Sequence, residues 1–292
     1  MINFFDYKSN SEPVFSIIIP TWNNIELLKL CISSIRKNSH FNHQIVVHVN
    51  ENADNSKYWL EDQKIPHTVS DINVGICKGV NAAYSLCKAD YIVYMNDDMY
   101  VCPDWDLYLQ EEIDKKDDYM FYLSSVLIEP VFSRNKSVLA PFDFGREPKE
   151  FKEDELLERY KDIKSKNKNG ASWPPSLMHR KLWNIIGGFS MEFSPGMYSD
   201  PDISMKMWQF GVRDFMIAGK SKVYHFMSKS TGKVKKNNGR KQFLRKWSIS
   251  SSNFYKNYLK MGSEYKGKLD NPPENFQFKI YSLKDKFKIN FS

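Results

Sequence analysis

The chain has 292 residues, 41% of them hydrophobic and 15% aromatic, with a formal net charge of +7. That length and apolar content fit one large globular domain or a domain plus an extension, and the absence of any apolar run of about eighteen residues excludes a helical membrane span. Residues 1–6 lack the basic start and apolar stretch of a signal peptide, and Cys31, Cys77, Cys87 and Cys102 form no Cys-x-x-Cys pair, so a reduced, cytoplasmic protein without a zinc site is expected.

Residues 15–20 are nearly all apolar, the pattern of a strand buried on both faces. Asn23, with Glu26 three residues on, has capping-box spacing. Leu28, Cys31, Ile32 and Ile35 then form a helical stripe, which predicts a helix over 24–37. Strands are predicted at 44–49 and 66–69, a helix at 76–88, and a fourth strand at 91–96 that stops in Asn96-Asp97-Asp98. A helix over 104–116, begun by Pro103-Asp104, and a strand over 119–128 complete an alternation that implies a doubly wound α/β sheet. Residues 129–150 are irregular, 151–166 a charged helix, 172–179 extended and 180–186 a short helix. Gly187-Gly188 is a turn, 201–210 a helix, and 213–226 one or two strands. The composition then turns to Lys, Ser, Gly and Asn up to about 239, and a helix carrying Phe243, Leu244, Trp247 and Phe254 follows over 240–260. The last thirty residues are aromatic, basic and weakly patterned. A catalytic domain over 1–226, with a nucleotide half at 14–128 and an acceptor half at 129–226, is expected to precede a basic segment and helical extension over 227–292.

Ligands of open α/β sheets bind at the carboxyl ends of strands. Magnesium-like cations are held by one or two carboxylates plus substrate phosphates. Asp97 and Asp98 therefore suggest a metal–diphosphate site, although such pairs also serve as turn and cap residues. Asp200-Pro201 reads equally as an N-cap with Pro at the first helical position, and Asp202 as a first-turn acid. His225 ends a strand, as a metal ligand or as a hydrogen-bonded histidine; Glu51 and Asp71 follow strands, as nucleobase acceptors or loop acids. Residues 220–246 hold ten Lys and Arg and no acid, which suits phosphates, an anionic glycan or a membrane surface, or a solvated tail. Within them, 229–241 reads as a cationic flap closing on a diphosphate or as a linker. No G-x-G-x-x-G and no P-loop is present, which disfavours dinucleotide dehydrogenases and P-loop enzymes.

Taken in order, these segments resemble the inverting nucleotide-sugar glycosyltransferases of family 2. The segments are FSIIIPTWNN at 15–24, Val49-Asn50-Glu51-Asn52, Asn73-Val-Gly-Ile-Cys-Lys-Gly-Val-Asn81, Asn96-Asp97-Asp98, Gly187-Gly-Phe189, Ser199-Asp200-Pro201-Asp202 and Val223-Tyr-His225. The resemblance implies a GT-A fold, a Rossmann-like, doubly wound mixed sheet, here with a C-terminal helical basic extension. It implies that Pro20, Thr21, Trp22, Asn23, Glu51, Asp71, Asn73, Gly75, Lys78, Asn81 and Asp97 contact the nucleotide. Asp98 and His225 are implied to hold Mn²⁺ or Mg²⁺, and Asp200, or alternatively Asp202, to be the catalytic base. The chain departs from the family pattern at Asn50 and Ser199, where acids are usual. The partners implied are a UDP-sugar donor and a saccharide or glycolipid acceptor, with no nucleic acid. A peripheral contact with the inner membrane face suits the aromatic, basic C-terminal region. The rival readings are a sugar-nucleotide nucleotidyltransferase, which would normally carry a Gly-rich basic loop near the N-terminus, and a non-catalytic glycan or nucleic-acid binder, which would not need Asp97, Asp98 and Asp200.

Overall fold

The apolar run at Phe15–Thr21 is wholly buried, as a strand covered on both faces must be. In the computed structural model, which describes residues 1–7, 12–171, 173–227, 236–273 and 275–290, this run lies inside a mixed sheet of eleven strands. The first half is β1 (Ile2–Phe5), β2 (Phe15–Thr21), α1 (Ile25–Asn38), β3 (Gln44–Asn50), α2 (Ser56–Asp62), β4 (His67–Ser70), α3 (Gly75–Tyr84), β5 (Tyr91–Tyr94), β6 (Met99–Val101), α4 (Trp105–Ile113) and β7 (Phe121–Ile128). The second half is β8 (Val138–Leu139), α5 (Glu153–Arg159), β9 (Lys168–Asn169), β10 (Ser176–His179), α6 (Arg180–Ile186), α7 (Ser199–Phe210), β11 (Asp214–His225), α8 (Gly239–Trp247), α9 (Ser251–Asn253) and α10 (Phe276–Asn290).

The sheet order is β1-β4-β3-β2-β5-β10-β7-β11-β6, with β8 beside β7 and β9 beside β11. Strands β4, β3, β2 and β5 are mutually parallel. β10 runs antiparallel to both β5 and β7, so β7 points the same way as β5, and β11 is parallel to β7. The carboxyl ends of β2, β3, β5, β7 and β11 consequently meet at one edge of the sheet, where ligands of such sheets bind. One face of the sheet packs on α1 and α4 through Leu28, Ile32, Trp105 and Leu109. The other packs on α3, α6 and α7. Phe243, Phe254 and Leu269, from the region expected to be an extension, belong to this second core cluster.

Several local expectations need correction. Asn23 does not cap α1: its φ is 49°, the cap position is Asn24, and the Ile25 amide instead donates to Asp54 Oδ2 at 2.8 Å. A carboxylate from a neighbouring loop thus does the work that a capping box does locally. The charged helix expected over 151–166 is helical only at Glu153–Arg159, and the helix expected over 240–260 breaks at Ser248, whose φ is 56°. β1, α2, β6 and α10 were not anticipated. β1 and β6 are short edge strands, paired antiparallel to β4 and β11, and so lack a long pattern of their own.

Candidate active site

Sheet register builds one wall of the site. His225 pairs with Met99 across β11 and β6, and Tyr224 with Ile128 across β11 and β7. The residue ending β11 therefore lies between the one preceding β6 and the one following β7. Those neighbours are Asp98 and Glu129. His225 Nε2 is 3.4 Å from Asp98 Oδ2, and its Nδ1 is 2.9 Å from Glu129 Oε1. Burial alone would lower the imidazole pKa, but the carboxylates of Asp98 and Glu129 outweigh it and hold it at about 10. Asp97, also buried, accepts a hydrogen bond from Thr21 Oγ1 at 2.7 Å. Burial, and then the charge of Asp98, push Asp97 up to about 7.

The facing wall comes from α7. Tyr198, at φ 73°, turns the chain into the helix and occupies the cap position. Asp200 is the second helical residue and not the N-cap, contrary to the sequence expectation, because the helix begins earlier than Pro201 suggests. Its carboxyl lines the cavity, where solvent reaches it, yet protein crowds it, and burial alone pushes it up to about 7. Asp202 is directed elsewhere. It is 0% exposed, accepts from Trp247 Nε1 at 2.8 Å and pairs with Lys246 Nζ at 2.9 Å, fastening α7 to α8.

Between the walls lies a cavity of about 640 Å³, within the usual range of small-molecule sites. Of the residues expected at the site, Pro20, Thr21, Trp22, Asn73, Gly75, Asp97, Asp98, Asp200 and His225 line this cavity. Gly75 has φ +79°, and a Cβ there would lie 2.6 Å from Pro195 Cα, so only glycine fits where the two walls meet. Glu51 lies just outside the lining and accepts from Trp22 Nε1 at 3.0 Å. The remaining expected contacts are not at the cavity. Asn23 Oδ1 accepts from the Ala53 amide, Lys78 is exposed on α3, and exposed Asp71 pairs with the N-terminal amine at 3.0 Å. Asn81 clamps Phe189 through both its backbone N–H and C=O, and so fixes the Gly187-Gly188 turn. The expected flap over 229–241 falls largely outside the described residues; Lys236, which is described, lines the cavity.

Three further features shape the site. Asn50 lines the cavity and accepts from the Val74 amide at 2.9 Å, so the amide that replaces an acid orders the turn into α3. Trp173 and Tyr255 pack together, 5.4 Å between ring centroids, on a further stretch of the wall. Glu129 is the third, and Ile128-Glu129-Pro130 does carry a signal: an acid directly after a buried parallel strand.

Among the described residues no group of three or more His, Cys, Asp or Glu side chains forms a metal cage. Asp98 and His225 still fit a cation that completes its shell with phosphate and water. Two ligands at about 2.1 Å from one metal and at a right angle lie about 3 Å apart, close to the 3.4 Å seen here. Glu129 on the other imidazole nitrogen is the carboxylate partner that metal-binding histidines usually have.

Comparison with known proteins gives a consistent result. The family model for glycosyl transferase family 2 matches residues 16–183. WcaA of Escherichia coli strain K12, a provisional colanic acid biosynthesis glycosyl transferase, is 30% identical over 97 residues, which span 30% of this chain and only 33% of WcaA. The fold is shared with residues 1–349 of Staphylococcus aureus TarS in complex with UDP, at a TM-score of 0.51 and 15% identity, over 82% of this chain and 74% of that one. It is shared also with GalNAc-T7 solved with UDP, GalNAc and Mn²⁺, at a TM-score of 0.56 and 13% identity, over 85% of this chain and 50% of that one.

Proposed function

The chain belongs to glycosyl transferase family 2 and has the GT-A fold, and we propose that it is an inverting enzyme that moves a sugar from a UDP-sugar to an acceptor hydroxyl with the help of a divalent cation, Mn²⁺ or Mg²⁺. One observation carries this reading: the Asp97–Asp98–His225 wall faces Asp200 across a single cavity large enough for a nucleotide sugar. The complexes of TarS with UDP and of GalNAc-T7 with UDP and Mn²⁺ support the choice of donor and metal.

Asp98 and His225 would hold the cation, with Glu129 fixing the ring of His225. When bound, a divalent cation supplies Lewis-acid stabilisation of the departing diphosphate. Asp97, anchored by Thr21, orients the nucleotide, and Glu51 reads the base from beside Trp22. Asp200 takes the proton of the acceptor hydroxyl as that oxygen attacks the anomeric carbon. A base with a pKa near the working pH combines a large ionised fraction with useful basicity, and burial puts Asp200 there. Asp202 is the weaker candidate, because its carboxylate is committed to Lys246 and Trp247. With one base on one face, transfer is a single in-line displacement. The acceptor is a saccharide or lipid-linked saccharide, worked on at the inner face of a membrane.

Thermal-shift titration with a panel of nucleotide sugars, with and without Mn²⁺, identifies the donor, and NMR of the product reads the anomeric configuration. Inversion is expected; a product that keeps the donor's configuration removes the single-displacement mechanism.

A further inference from the structure

No helix among the described residues is long and apolar enough to cross a membrane, yet α10 has the anatomy of one that lies on a membrane surface. Its exposed residues Phe276, Ile280, Leu283 and Phe287 are 80%, 37%, 69% and 65% accessible. At about 100° per residue they fall within an arc of roughly 60° along one side of the helix. Lys279 and Lys286 lie about 70–90° to one side of that stripe and Lys284 about 70° to the other; all three are exposed. The only acid of the helix, Asp285, is about 170° away. It is 1% exposed and turned into the protein, where it accepts from the Ser250 amide at 3.0 Å and from Asn253 Nδ2 at 2.8 Å. The face left to solvent is apolar at its centre, cationic at both margins and free of acids.

We propose that this face of α10 docks on an anionic lipid bilayer. Phe and Leu enter the boundary between headgroups and acyl chains while the flanking lysines meet the lipid charge. A second copy of the chain is the other obvious occupant, because the 4-3-4 spacing of the stripe is also that of a coiled-coil seam. The charges oppose it: Lys279, Lys284 and Lys286 fall at the seam-flanking positions, where two copies would set lysine against lysine. The inference rests on the membrane side of the function proposed above and adds the surface that makes the contact. Asp285 fastens α10 to the turn at 250–253, and Ser251 and Tyr255 beside that fastening line the cavity. Docking would therefore set one cavity wall close to the lipid headgroups.

Vesicle flotation tests this with the full chain. Vesicles of two parts phosphatidylcholine to one part phosphatidylglycerol should carry the protein, and vesicles of phosphatidylcholine alone should not. Replacing Lys279, Lys284 and Lys286 together by Gln should lower partitioning on the order of a hundredfold, given the contribution of each surface lysine. The double variant Phe276→Glu, Leu283→Glu should lower it at least about tenfold. These side chains are exposed, so UDP and Mn²⁺ binding measured by calorimetry should be unchanged in both variants and reports their folding. No flotation of the unaltered chain, or flotation that survives both variants, overturns the proposal. So does a lipid-free dimer that the Phe276→Glu, Leu283→Glu variant converts to monomer. A chain that floats but transfers no sugar would remove the enzymatic reading and leave the lipid contact standing; transfer without flotation does the reverse.

Discussion

The two walls of the cavity present acids in opposite settings. On the sheet wall, Asp98 faces His225 at 3.4 Å, and Glu129 holds the far side of the same ring. Without a metal the two carboxylates favour the protonated ring, so His225 has to release that proton to ligate a cation. On the α7 wall, burial pushes the Asp200 carboxyl up to about 7. Asp202, two residues further along the same helix, is more deeply buried but paired through Oδ1 with Lys246 and Trp247. Burial alone therefore does not make a reactive acid. What distinguishes these carboxylates among the described residues is the partner each side chain has: Asp202 a lysine and an indole, Asp98 a histidine, and Asp200 a place on the cavity wall, which is the setting expected of the proposed base.

Substitution at Asp200 should separate the two walls most sharply. Asp200→Asn is expected to keep UDP binding and lose transfer by roughly 10²–10⁴-fold, the usual worth of general-base catalysis. Measured kcat and calorimetric UDP affinity check this, and the larger loss falling on Asp202→Asn instead would move the base. On the sheet wall, Asp98→Ala should abolish the Mn²⁺-dependent part of UDP binding while the fold survives. Unchanged metal dependence in calorimetry would break the assignment. Glu129→Gln should weaken Mn²⁺ binding in the presence of UDP by about 10–100-fold, the range for carboxylate partners of metal-bound histidine. No change would make Glu129 a structural partner only.

The pH response sharpens the contrast further. Asp200 is neutral below its pKa and ionised above it, so kcat/KM should rise with pH and reach half its plateau near 7. The same shift has a stability sign. Because the folded pKa exceeds the unfolded one, which is about 3.9, ionising Asp200 costs the folded state as pH rises from about 4 to 7. Asp200→Asn should therefore raise the melting temperature at pH 8 and leave it nearly unchanged at pH 4. Asp202→Asn should do the opposite at neutral pH and lose roughly 1–3 kcal/mol, since it weakens a buried, charge-assisted contact. Equal melting shifts for the two variants would erase the distinction between them.

Much of this was legible in the residues themselves. A strand buried on both faces is mostly apolar, so the run at 15–20 announced a parallel sheet. The acids of Asn96-Asp97-Asp98 stand where such a sheet binds ligands. The periodicity of α1 and α3 is likewise local, and so is the turn at Gly187-Gly188. What sequence alone could not decide was every matter of partnership. Glu129 and His225 are 96 residues apart and meet only because β7 and β11 run parallel in one register. Asp200 and Asp202 share one motif, and their separate fates depend on α8, which returns some forty residues later to claim Asp202. The cap of α1 arrives from Asp54 across a loop, where local spacing had pointed to Asn23 and Glu26. In α10, tertiary contacts chose which side of a weakly patterned helix turned inward with Asp285 and which stayed in solvent. Periodicity and strand-end chemistry are properties of neighbouring residues, and a sequence records them. Electrostatic compensation depends on distance in space, and only the folded chain fixes it.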